Sequence, residues 1–168
     1  FSDIWDDIKG LRQDIQNKIS RTRTAAFPME IPYRLINMYS LSGDTVLDPF
    51  LGTGTTSIAA IISNRNSIGY EIDKHFADIS VNNCVDLPVN IANNIIKNRI
   101  KKHKSFIKSY KRTAKHYCRN LGLNVMTSQE TEINFMYLKD IRRNRDDISA
   151  KYSNIADNVI PEQGDFDF

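Results

Sequence analysis

The run Leu47-Asp48-Pro49-Phe50-Leu51-Gly52-Thr53-Gly54-Thr55-Thr56 constrains the fold of this chain more than any other segment. Thr45-Val46-Leu47 before it is a short β-branched and apolar stretch, long enough for a buried parallel strand. Gly52 and Gly54 follow where the backbone must turn sharply, and glycine permits this because it has no Cβ. Ser57–Asn64 then reads as a helix with Ile58, Ile61 and Ile62 facing inward, and Asn64-Arg65-Asn66 breaks it. Ser67-Ile68-Gly69-Tyr70-Glu71-Ile72 is the next strand. Strand, turn, helix and strand make a βαβ unit, whose default is a parallel sheet with a right-handed crossover. The expected fold class is therefore α/β and Rossmann-like.

Elements on either side extend this frame. Ile4 and Ile8 suit buried points of a short extended segment, with Trp5 as an anchor, and a polar stretch runs on through Arg23. Phe27 and Pro28 precede a helix over Glu30–Tyr39, where Ile31, Leu35 and Met38 recur at helical spacing and Pro32 is tolerated in the first turn. Ser42-Gly43-Asp44 ends it. A further helix spans Phe76–Asn83. After Pro88, apolar residues at 91, 95, 100, 107, 110, 114, 117 and 121 describe one long amphipathic helix ended by Gly122. This pattern places Tyr110 and Tyr117 in the core, and His103 and His116 on the polar face. His75 is expected at the surface. Residues 131–138 and 147–152 alternate well enough for two strands joined by a charged loop, with an irregular tail after Asn154. The chain divides into residues 1–86 and 87–168.

Charge separates these parts. Net charge is +3, yet Leu87–Asn120 holds ten Lys and Arg with no Asp or Glu, which leaves 13 − 20 = −7 for the remainder. Lys97, Lys101, Lys104, Lys108 and Arg112 lie along the predicted helix as candidate contacts to DNA phosphates, with a solvated face as the plain alternative. The 168 residues suit a soluble globular chain. The longest apolar runs, such as Ile58–Ile62, fall far short of the roughly 20 residues a membrane helix needs. Cys84 and Cys118 are isolated thiols without metal or redox spacing, which points to a reducing cytoplasm. No metal site is expected. The chain begins at Phe1, as a fragment or processed chain would.

Three ligands compete for the glycine turn. A triphosphate loop needs Gly-Lys-Ser/Thr, and no lysine lies between Gly43 and Lys74. A nicotinamide site wants a third glycine where Ser57 stands, which weakens that reading without closing it. S-adenosyl-L-methionine carries a sulfonium and an amino group and favours acids near the turn, where Asp48 is placed. Thr55 and Thr56 sit at the helix start, as hydroxyl donors and caps. Glu71, 17 residues beyond Gly54, ends the second strand where an acid accepts hydrogen bonds from both ribose hydroxyls. Asp73 either assists Glu71 or caps the next helix.

At these residues the chain resembles the β-class of S-adenosyl-L-methionine-dependent DNA methyltransferases, which modify cytosine N4 or adenine N6. The family's Asp-Pro-Phe-x-Gly-x-Gly-Thr-Thr corresponds to Asp48–Thr56, and its acid after the second strand to Glu71 within Gly69-Tyr70-Glu71-Ile72-Asp73. Its His-Pro-Ala-x-Phe-Pro segment, followed by a helix with Arg-Leu-Ile, is matched by Arg23-Thr24-Ala25-Ala26-Phe27-Pro28 and Arg34-Leu35-Ile36. Arg-Thr replaces His-Pro, so the carry-over is limited to Ala25, Phe27 and Pro28. The resemblance covers about residues 1–83. It implies a cofactor site formed by Ala25, Phe27, Pro28, Asp48, Pro49, Phe50, Gly52, Thr53, Gly54, Thr55, Thr56, Glu71 and Asp73.

The family's catalytic Asp/Ser/Asn-Pro-Pro-Tyr/Phe is missing, since no Pro-Pro dipeptide occurs. In the β-class that region precedes the cofactor region, so a catalytic half is expected from an upstream segment or second chain. The expected sheet is then a partial class I methyltransferase sheet with an open apolar edge. The enzyme as a whole would be a site-specific DNA methyltransferase of a restriction–modification system acting on double-stranded DNA, this chain alone being inactive. The alternative is a non-catalytic subunit that binds S-adenosyl-L-methionine or DNA.

Overall fold

The computed structural model describes Trp5, Ile8 and residues 27–109, 114–145 and 147–154. Among these the protein is mixed α/β, with three two-stranded sheets. It divides into two compact units, one of Phe1–Pro88 with Ile141–Ala150, the other of Val89–Asp140 with Lys151–Phe168. Among the described residues no helix is long and apolar enough to cross a membrane.

The first unit contains α1 (Glu30–Tyr39), β1 (Thr45–Asp48), α2 (Thr55–Ile62), β2 (Asn66–Gly69) and α3 (Lys74–Val85). β1 and β2 pair in parallel, with Leu47 opposite Ile68 and Asp48 opposite Gly69. The ladder runs on past the strands, because the Tyr70 amide donates to the Asp48 carbonyl and the Leu51 amide to the Tyr70 carbonyl, each at 2.9 Å. α2 lies on one face of this pair, where Ser67 Oγ meets Ser57 Oγ at 3.1 Å. Alternation along a strand then turns Leu47 and Ile68 to the opposite face. They are 61% and 50% exposed there. β2 is shorter than its apolar pattern suggests: Tyr70, Glu71 and Ile72 lie beyond its end, with Ile72 fully in solvent.

α1 has the expected bounds but a different buried stripe. Pro32, Tyr33 and Ile36 are buried, while Leu35 is exposed. The rotation follows from its contact with α2, where Asn37 Nδ2 donates to Ser63 Oγ at 2.9 Å. α2 begins at Thr55, two residues before the expected start, and Ala59 and Ala60 are fully buried, which lets α1 approach closely. Arg65 ties this end of the unit together by donating from Nη2 to the Ser40 carbonyl at 2.7 Å and from Nε to Ser40 Oγ at 3.1 Å. Trp5 lies under the Arg34 guanidinium, 5.5 Å from carbon to ring centroid. Ile4 and the polar stretch through Arg23 lie outside the described residues, as does the tail after Asn154.

The single long helix expected after Pro88 is instead a helix and a ribbon. α4 spans Val89–Ser109, and β3 (His116–Cys118) pairs antiparallel with β4 (Leu123–Val125). Gly122 does not end a helix. It adopts φ +64° in the ribbon's turn, donating its amide to the Cys118 carbonyl at 3.0 Å. The physical reason is burial: a ribbon sets Cys118 and Val125 on one face against α4, and a glycine able to take positive φ closes its turn. Cys118, Leu121 and Val125 form a core flanked by Ile100 and Ile107 of α4. Tyr117, expected in that core, is 60% exposed. His103, expected on the polar face, is half-buried, and among the described residues its Nε2 has no hydrogen-bond partner. Ile91 is exposed, while Ala92 and Ile96 carry the buried stripe.

Thr127 and Glu130 form a capping box around a short 3-10 turn, Ser128–Glu132. This turn displaces the start of the expected strand, so β5 spans Met136–Arg143 and pairs with β6, Ile148–Asn154. Leu138 at its centre is buried, and Asn93 of α4 both donates to its carbonyl and accepts from its amide, each at 2.9 Å.

Candidate functional site at the glycine turn

β1 ends on Asp48, whose Oδ1 accepts the Phe50 amide at 3.0 Å. That side-chain turn shapes the exit from the strand. Phe50 points into solvent, 87% exposed, and Pro49 beside it is exposed as well. Gly52 and Gly54 take φ +55° and +86°, a region that strains any residue with a Cβ. Gly54 also faces steric limits, since a Cβ there would lie 3.0 Å from Ser80 Cβ and 3.2 Å from the Ser80 carbonyl oxygen. A Cβ at Gly52 would meet only the Phe50 carbonyl, at 4.0 Å, so that side of the turn is open.

Glu71 closes the arrangement. Its Oε2 accepts the Gly52 amide at 2.8 Å, and its Oε1 accepts the Asp73 amide at 2.9 Å. One carboxylate thus links the glycine turn to the start of α3, two residues beyond β2. Asp73 serves as the N-cap of α3, its Oδ1 accepting the His75 amide at 2.8 Å. His75 is exposed, as its position suggested.

The remaining expected residues divide. Gly54, not a threonine, is the N-cap of α2, and no side chain caps that helix. Thr53 and Thr55 are buried and Thr56 is half-buried. The capping expected of the threonine pair is therefore absent, because the left-handed glycine takes the cap position. Phe27 is exposed and Pro28 half-buried just before α1, while Ala25 lies outside the described residues. Two residues of α3 that carry no sequence signal support the turn: Ser80 packs against Gly54, and Asn83 Nδ2 donates to the Thr53 carbonyl at 2.9 Å.

On α4, Lys97, Lys101, Lys104 and Lys108 are all exposed. Steps of four, three and four residues put them on one face of the helix. Lys97 Nζ lies 6.0 Å from the Tyr137 ring centroid. Arg112 lies outside the described residues. No group of His, Cys, Asp and Glu able to hold a metal ion occurs among the described residues. Burial pushes the Cys84 thiol up to about 11, which keeps it protonated and unreactive at neutral pH.

A parallel strand pair with a glycine turn at its carboxyl end, tied to an acid after the next strand, is the general geometry of α/β proteins that take adenosine-containing ligands. Comparison with known proteins narrows this class. Residues 1–82 match the family model for N6/N4 DNA methylases. Over 143 residues the chain is 45% identical to the type II methyltransferase M.MthZI of Methanothermobacter thermautotrophicus, covering 85% of this chain and 39% of the relative. Over 79 residues it is 65% identical to M.MjaI of Methanocaldococcus jannaschii, covering 47% of this chain and 25% of that protein. Through this matched region the chain is similar to N6/N4 DNA methyltransferases. It spans about two fifths or less of the length of these two relatives. Among solved structures, TTHA0409 of Thermus thermophilus, complexed with S-adenosyl-L-methionine, is 48% identical over 32% of this chain and 23% of that one, with a TM-score of 0.32.

Proposed function

We propose that this chain is the S-adenosyl-L-methionine-binding part of a β-class DNA amino-methyltransferase of a restriction–modification system, built on a partial Rossmann-like sheet. The single observation that carries this reading is the tie between Gly52 and Glu71, which sets a carboxylate beside an open glycine turn at the strand ends. The residues present suit the cofactor. Each Glu71 oxygen accepts one amide and keeps a lone pair for a ribose hydroxyl. Asp48 commits one oxygen to Phe50 and offers the other to an ammonium group. Phe50, exposed beside the turn, supplies an apolar wall, and the Gly52–Thr55 backbone lets the ligand approach closely.

When bound, S-adenosyl-L-methionine would supply an electrophilic sulfonium methyl for transfer to the exocyclic amine of cytosine (N4) or adenine (N6), leaving as the neutral thioether S-adenosyl-L-homocysteine while the amine gives up one proton. The chain's own part is to orient the donor, which converts a bimolecular encounter into a positioned one. The amine is presented after the base leaves the duplex stack. The catalytic half that carries a Pro-Pro segment comes from an upstream segment or a second chain. Support for such a partner lies in the sheet: parallel strands are stable when both faces are covered, and Leu47 and Ile68 are half or more exposed. The lysine face of α4 supports a duplex DNA partner through phosphate contacts.

Isothermal titration with S-adenosyl-L-methionine and, separately, NAD tests this function. Binding of the first alone, weakened at least tenfold by Glu71→Ala, is the expected result. Binding of NAD alone would transfer the glycine turn to an oxidoreductase reading. Heat with S-adenosyl-L-methionine but no methylation after a Pro-Pro partner is restored would favour the non-catalytic subunit.

A further inference from the structure

The β3–β4 ribbon has two unlike faces. Cys118 and Val125 are fully buried on one, mounted on the Ile100 and Ile107 side chains of α4. Asn120 Nδ2 donates to the Ile133 carbonyl at 3.0 Å and fixes the ribbon's turn. On the other face Tyr117 stands 60% exposed, directly opposite Asn124 in the register, and Asn124 is exposed as well. Lys115 and Arg119, two residues to either side of Tyr117, are also exposed. No Asp or Glu occurs between Asp86 and Glu130.

An exposed tyrosine costs solvation of its ring, and a row of cations without acids adds self-repulsion, so neither stabilises this unit on its own. Both are relieved by an anionic partner that offers flat or apolar edges. We propose that this ribbon is a second DNA-contacting element, in which Tyr117 and Asn124 read base edges while Lys115 and Arg119 hold the flanking phosphates. The inference rests on the DNA reading above and assigns a specificity role outside the glycine turn. A two-stranded ribbon fits the major groove, about 12 Å wide. An asparagine amide there pairs bidentately with adenine N6 and N7, and an aromatic edge packs on a thymine methyl. The buried anchoring of the opposite face gives these two side chains the fixed mount that base readout requires.

The test uses the full chain and a pool of randomised 20-base-pair duplexes, with bound species sequenced and affinity followed by anisotropy at stepped salt. The wild type enriches a motif. A Tyr117→Ala/Asn124→Ala variant keeps bulk affinity within about threefold but loses about tenfold preference at one or two positions. Asn124→Asp, which preserves shape, moves preference from adenine towards cytosine, because a carboxylate accepts from cytosine N4. Lys101→Ala/Lys104→Ala does the converse, lowering affinity and salt slope with the motif intact. Duplex binding without any sequence preference, or an unchanged motif in the Tyr117 and Asn124 variants, overturns this inference alone. Absence of duplex binding by the wild type overturns it together with the DNA reading.

Discussion

Gly52 and Gly54 look alike in the sequence and differ in space. Both hold positive φ, but only Gly54 also abuts Ser80 of α3. A left-handed alanine costs on the order of 1 kcal/mol from backbone strain, which is the loss expected for Gly52→Ala in urea unfolding. Gly54→Ala adds a clash with backbone atoms and is expected to cost about 2 to 4 kcal/mol. Equal losses in the two variants would show that α3 yields at Ser80. Cys84 supplies a second residue-scale prediction. Burial raises its thiol from 9.0 to about 11, so folding favours the protonated form. Its contribution is intact below pH 9 and fades as pH rises from about 9 to about 11, on the order of 2 to 3 kcal/mol at about 1.4 per unit. The difference in unfolding free energy between wild type and Cys84→Ala should change over that window. A flat difference would contradict the burial argument. Neither effect can be read from residue spacing, since each depends on what α3 packs against.

At the scale of elements, α3 is oriented by its N-terminus. Asp73 caps it, and Glu71 joins the same corner to Gly52. Asp73→Ala should cost about 1 kcal/mol of stability, as loss of an N-cap does, while changing S-adenosyl-L-methionine affinity less than Glu71→Ala. A larger affinity loss at Asp73 would reassign the ribose contact. On α4, each lysine that contacts a phosphate contributes about 0.9 to the slope of log affinity against log salt. Lys101→Ala/Lys104→Ala should lower that slope by about 2. The βαβ order and the bounds of α1 were legible because apolar period and breakers agree there. Beyond Ser109 they conflict. The spacing of Tyr117 and Leu121 continues a helix, whereas the Gly122 turn and the burial of Cys118 and Val125 favour a ribbon, and burial prevailed.

Among the described residues the parallel strand pair is covered by α2 on one face and exposed at Leu47 and Ile68 on the other. Burying the exposed part of two such side chains is worth on the order of 1 to 3 kcal/mol at about 25 cal/mol per Å². The chain by itself should therefore bind a hydrophobic dye and self-associate in sedimentation, and Leu47→Lys/Ile68→Lys should restore a monomer. The same variant should weaken pairing with a partner that carries the catalytic Pro-Pro segment. A wild-type chain that stays monomeric and binds no dye would remove the physical argument for that partner.

Asp48–Thr56 and Glu71 determined the glycine turn, the acid and the parallel pair by themselves, because backbone freedom at glycine and strand periodicity are local properties that a short window contains. The tertiary structure alone decided that one Glu71 carboxylate grips Gly52, that Ser80 and Asn83 brace the turn, that Gly54 rather than a threonine caps α2, and that Tyr117 faces outward. These outcomes depend on contacts between residues far apart in the chain, where burial outweighs local preference.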